Sequence, residues 1–120
     1  MPNIVDHQTM SNTGVDQFTA TENIATAYNL VFISVTCSWQ TNQLHDPPCS
    51  ATTVPTDQNG IQFTRIDRHF NTPAGWTQED WFAIIPTTGS DVITFSTFYK
   101  CNGCTFNAMV EQIQGIEADD

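Results

Sequence analysis

The run Leu30 to Cys37 (LVFISVTC) limits what this chain can become more than any other segment. Its β-branched residues are stiff at the first side-chain torsion and sit well on a pleated surface, so they favour a strand. Apolar side chains stand at both odd and even positions, the pattern of a central strand buried on two faces. Four more segments of β character follow: Ile61–Ile66, Trp81–Ile85, Asp91–Tyr99 and Phe106–Ile113. In the last, Phe106, Ala108 and Val110 fall on one face, with Asn107, Met109 and Glu111 on the other. Turn signals divide them, namely Asp57-Gln-Asn-Gly60, Pro86 and Thr87-Thr-Gly-Ser90. Short, evenly spaced strands between Pro, Gly and Asn turns predict an all-β fold, an antiparallel β-sandwich of jelly-roll-like kind. Thr77–Trp81 reads as a single helical turn.

Residues 1–22 are rich in Asn, Thr, Gln and Asp and show no periodicity. They are expected to form an extended N-terminal arm ahead of a β-sandwich domain at 23–120. A chain of 120 residues holds one core of useful size. Charge narrows the partners. Thirteen acidic residues face three basic ones, Arg65, Arg68 and Lys100, for a net charge of −10. Three scattered cations make no phosphate-neutralising footprint, which argues against nucleic acid and against an anionic membrane. Solubility rests instead on an acidic field and on neutral polar groups, 18 threonines among them. The first residues lack a basic start and carry Asp6 and Asp16, so no secretory signal is expected, and the apolar run at Leu30 is too short to span a bilayer. Synthesis in a cytosol without signal-directed export is the corresponding expectation.

Several segments together have a familiar layout: NLVFISVT (Asn29–Thr36), TDQNGIQFTRI (Thr56–Ile66), DWFAII (Asp80–Ile85), GSDVITFSTF (Gly89–Phe98) and NAMVEQIQGI (Asn107–Ile116). In this order the chain resembles a β-sandwich module that recurs in tailed-phage virion proteins and bacterial surface proteins. The likeness covers about residues 28–116. Glu111-Gln-Ile-Gln-Gly115 stands where that module usually ends in EYSG, and the cysteine-bearing loops are additional. What the resemblance implies is a structural or adhesive role, with no catalytic residues to carry over.

The four cysteines leave three readings open. Cys37 and Cys49 bracket a Pro-containing loop, and Cys101-Asn-Gly-Cys104 brackets a tight turn. Two local disulfides, Cys37–Cys49 and Cys101–Cys104, would suit a protein released into an oxidising medium. The first would close a ring of about 13 residues and contribute up to ~3 kcal/mol. A four-cysteine zinc site, with His45 in reserve, is the second reading; the strand count places the two cysteine loops at opposite ends of the sandwich, which opposes it. Four free thiols are the third. No metal or cofactor is therefore assigned.

Asp67 and His69 stand two apart on a strand, as an acid–base couple or an ordinary surface pair would. No nucleophile motif, phosphate loop or zinc-protease motif accompanies them, so no catalytic residue is assigned. Trp39 and Trp76 fall in loops, whereas Trp81 opens an apolar strand and belongs to the core. With Asp80, and with Asn71, Gln78 and Tyr99 nearby, Trp39 and Trp76 form a candidate binding surface, for a glycan or for a protein partner. The expected function is that of a virion structural protein. Most specifically this is a capsid decoration protein that binds the major capsid protein or other virion proteins and forms a homo-oligomer or array. A carbohydrate-binding or adhesive module is the alternative.

Overall fold

A computed structural model describes residues 3–13, 17–38, 54–71, 76–96 and 105–114. They form eight strands: β1 (Asn3–Thr13), β2 (Gln17–Ile24), β3 (Asn29–Ser38), β4 (Thr56–Asp57), β5 (Thr64–Asn71), β6 (Trp76–Ile85), β7 (Gly89–Ser96) and β8 (Thr105–Gln114). The described residues contain no helix. All pairing is antiparallel, in a five-stranded sheet of order β1-β8-β3-β6-β5 and a three-stranded sheet of order β2-β7-β4. The two sheets pack as a β-sandwich. Pairing is nested: β1 with β8, β2 with β7, β3 with β6, and innermost a bridge between Thr56 and Gln62.

Alternation decides which side chains meet between the sheets. The larger sheet contributes Val31, Ile33, Val35 and Cys37 from β3, Trp81, Ala83 and Ile85 from β6, and Phe106, Ala108 and Val110 from β8. Ala20, Ile24, Ile93 and Phe95 come from the smaller sheet, and Phe63 from the segment before β5. The alternation expected for Phe106–Ile113 is present, and Trp81 is in the core.

Polar groups also cross the interior. Gln112 is fully buried; its Nε2 donates to Glu22 Oε2 and to the Asn23 carbonyl, each at 2.8 Å. Its Oε1 accepts from the Ala25 N–H and from Asn29 Nδ2, also at 2.8 Å. Gln8 Nε2 donates to Glu22 Oε1 at 2.7 Å and to the Thr21 carbonyl at 2.9 Å. This network ties β2 of one sheet to β1 and β8 of the other. Burial, and then a hydrogen bond with Asp6, push the Glu22 carboxyl upward from its usual range.

Four expectations change. The segment expected as an arm instead supplies β1 and β2, with Ala20, Glu22 and Ile24 buried. Its described inward positions include Gln8, Met10, Ala20 and Glu22; cross-sheet hydrogen bonds satisfy the two polar ones, so the segment shows no apolar period while being structural. Thr77–Trp81 is strand, not helical turn, because Thr77, Glu79 and Trp81 point inward at period two. β3 is covered on one face only: Leu30, Phe32, Ser34, Thr36 and Ser38 on its other face are half-buried. Finally, Cys37 lies opposite Phe106 in the β3–β8 register, two residues beyond Cys104 in sequence. The two cysteine loops therefore spring from the same end of the sandwich, not from opposite ends. The strand count missed β4, and one extra crossing reverses the parity.

The turn after β4 follows its sequence signal. The Gly60 N–H donates to the Asp57 carbonyl at 3.1 Å, and Gly60 takes φ +86°, a backbone conformation that glycine adopts without steric cost. Asp57 Oδ1 accepts from the N–H groups of Asn59 (3.0 Å) and Ile61 (2.7 Å). Gln58 fastens the turn to β7, donating to the Ser90 carbonyl at 3.2 Å and accepting from the Val92 N–H at 3.1 Å.

Candidate functional site

The outer face of the five-stranded sheet is a broad surface that the described residues leave uncovered, and the register lays its side chains out in rows. Nearest the β3 start, Ile4, Ile113, Leu30 and Ile84 align across β1, β8, β3 and β6. In the next row Phe32 and Phe82 are direct neighbours, flanked by Glu111 and His7 on one side and Thr64 on the other. These six apolar residues make a continuous band in which Ile4 is 61 % and Ile84 is 39 % exposed. Tyr28, 66 % exposed with φ +68°, stands in the turn that leads into β3 at this end.

Beyond the band the face turns polar. One row reads Thr9, Met109, Ser34, Asp80 and Asp67, and the following one Ser11, Asn107, Thr36, Gln78 and His69. A last row brings Thr105, Ser38 and Trp76 into line. Over β1, β8 and β3 the polar rows contain a depression of about 550 Å³, lined by Thr9, Ser11, Ser34, Thr36, Asn107 and Met109 with Met10 and Ala108. Short hydroxyl side chains on β3 lie there between longer ones on β8 and β6. Gln78 Nε2 spans the gap to Ser34 Oγ and Asp80 Oδ1, both at 3.4 Å.

Charge is divided between the two sides of the sheet. Arg65 and Arg68 sit in the rows of Trp81 and Glu79, on the inner side. The Arg65 guanidinium lies 5.9 Å from the Trp81 ring centroid, and Arg68 Nε is 3.5 Å from the buried carboxylate of Glu79. The outer face carries Asp67, Asp80 and Glu111. His7 Nδ1 meets the half-buried Glu111 at 3.0 Å, and His69 Nε2 meets Asp67 at 2.6 Å in a pair open to solvent.

Of the residues singled out from sequence, Trp76 and Asp80 share this face, two rows apart with Gln78 between them. Trp76 is half-buried as the first residue of β6. Asp67 and His69 form an exposed i, i+2 pair, the geometry of an ordinary surface contact. Trp39, His45, Cys49, Tyr99, Cys101 and Cys104 lie outside the described residues. Cys37 is buried and disulfide-bonded, and its partner lies outside them as well. With that sulfur engaged, a four-cysteine zinc centre lacks one of its thiolates. Among the described residues no group of three or more His, Cys, Asp or Glu side chains is placed to hold a metal ion, and no helix is long and apolar enough to cross a membrane. The apolar band went unrecognised in the sequence, although its signal was present in the outward positions of LVFIS and WFAII.

Comparison with protein-family models and with curated proteins gives no match.

Proposed function

We propose that this chain is a structural protein of a virus particle, a decoration subunit that attaches to the outside of the shell through the apolar end of its larger sheet. The observation that carries the reading is the outward-facing apolar band of Ile4, Ile113, Leu30, Ile84, Phe32 and Phe82, which no described residue covers. A contiguous apolar patch of this kind, rimmed by polar residues, marks a protein docking site. The band lies on four hydrogen-bonded neighbouring strands rather than on a loop, so little ordering entropy opposes its use.

Nested pairing of first with last, second with seventh and third with sixth strands is the plan of a jelly roll, an architecture found in viral capsid and lectin domains. The resemblance to phage virion modules points the same way. An acidic chain of net charge −10 suits a partner with a basic rim around an apolar centre, and like charge keeps free copies apart before they dock. The partner that fits is the major capsid protein of the shell, and many copies on one shell form an array.

The test is quantitative mass spectrometry of purified particles, followed by rebinding of the chain to shells stripped of it. Ile84→Lys places a charge at the β6 end of the band, beside Leu30, and is expected to weaken rebinding about tenfold or more, while the melting temperature stays within a few degrees because Ile84 faces outward. Absence of the chain from particles, or undiminished rebinding of Ile84→Lys, refutes the proposal.

A further inference from the structure

The polar half of the outer face has no part in that docking, and its chemistry differs from the band beside it. We propose that it is a binding site for a neutral saccharide, seated in the depression over β1, β8 and β3 and reaching toward Trp76.

Three features of the surface select this ligand class. The first is shape: about 550 Å³ is room for a few sugar rings, and the depression is open along the sheet, as an extended oligosaccharide requires. The second is the lining. Thr9, Ser11, Ser34 and Thr36 offer hydroxyls that both donate and accept, Asn107 adds an amide, and Met109 gives an apolar surface for the C–H face of a ring. None of these side chains is charged. The third is the far rim on β6, where Gln78, the Asp80 carboxylate and the Trp76 ring share the same face. A carboxylate accepts from two adjacent sugar hydroxyls at once, and an indole stacks on the apolar side of a pyranose.

Charge sets the specificity. Asp67, Asp80 and Glu111 border the site, while Arg65 and Arg68, the cations among the described residues, occupy the inner-side rows. Among the described residues a sialylated or uronic-acid sugar would meet these carboxylates with no arginine beside them and is disfavoured; a neutral one is not. The inference stands apart from the docking proposal, since it uses different rows of the sheet.

The experiment is a two-dimensional amide NMR titration of the full chain with neutral hexamers of glucose, mannose, galactose and N-acetylglucosamine, each at millimolar concentration, with a sialyl-oligosaccharide alongside. Saturable shifts at residues 9–11, 34–36 and 107–109 are expected with at least one neutral sugar and not with the sialylated one. Ser34→Leu, which fills the depression from an outward position, is expected to weaken that binding about tenfold or more. Asp80→Asn, which changes no volume, is expected to weaken it less. No shift with any neutral hexamer overturns the proposal. So do shifts that persist in Ser34→Leu, or that map to Leu30, Phe32 and Ile84 instead.

Discussion

Replacing Asp91 by Asn is expected to stabilise this protein at neutral pH, and the reason lies between β4 and β7. Asp91 and Asp57 both point inward from the smaller sheet and are 3 % and 5 % exposed. Asp57 Oδ2 and both Asp91 oxygens are buried, with no amide, hydroxyl or basic side chain donating to them. Burial, followed by a hydrogen bond and a charge contact with Asp57, pushes the Asp91 carboxyl up to about 6 from an ordinary 3.8, against a smaller opposing pull from the Gln58 backbone N–H. A carboxyl raised in the folded state contributes its stability fully below the unfolded value, and that contribution is lost as pH rises through the folded one. The window therefore runs from about pH 4 to somewhat above pH 6. At about 1.4 kcal/mol per unit, ionising Asp91 in place costs about 3 kcal/mol by pH 7.5. Asn is the same size, stays neutral and offers its amide to Asp57 Oδ2. The variant should thus gain about 2–3 kcal/mol at pH 7.5, or roughly 10 °C in melting temperature, and nothing near pH 4. Urea and thermal melts followed by circular dichroism from pH 4 to 8 measure this. Glu22, also raised by burial, gives the wild type a second contribution of the same sign, which the variant retains. A variant less stable than wild type at pH 7.5, or a difference between the two that does not change with pH, refutes the argument.

Two further outcomes follow from the interior and the turn. Gln112→Leu strands Glu22 Oε2, the Asn23 carbonyl, the Ala25 N–H and Asn29 Nδ2 at once. The cost should reach about 3 kcal/mol or more in chemical denaturation, and a loss below about 1 kcal/mol would mean the network is not what joins the sheets. Gly60→Ala meets open space, yet sits at φ +86°. It should lose about 1–2 kcal/mol through backbone strain alone, with Gly60→Asn losing less; equal stability of all three would show that the turn relaxes to another conformation.

Strands whose inward positions are apolar were legible in the sequence, and those held by other means were not. β3 and β8 announce themselves because Val31, Ile33 and Val35, or Phe106, Ala108 and Val110, alternate with their neighbours. β2 buries Ala20, Glu22 and Ile24, and β1 turns Gln8 and Met10 inward, so neither shows an apolar period. Hydrogen bonds reaching from 13 to 90 residues along the chain satisfy these groups, and such distances are invisible to a local window. β4 has two residues, too few for any pattern, and missing it misplaced the cysteine loops. At the site, Trp76 and Asp80 were legible as residue types. Their shared face depends on reading residues 76–81 with period two, which the helical interpretation obscured. The apolar band was hidden by an ambiguity: a strand apolar on both sides fits burial between two layers as well as one layer plus an open docking surface.

The nested pairing also governs the order in which this molecule comes into being. Asn3 pairs with Gln114 and Ile4 with Ile113, so β1 has no partner until β8, about a hundred residues further along, has been made. Contacts of such long range are slow to form, and the loop closed last is the largest. The row Ile4, Ile113, Leu30, Ile84 draws on both the first and the last strand and is complete only once those two have paired. A half-folded copy presents only a fragment of the band, and the full row exists only on the finished fold.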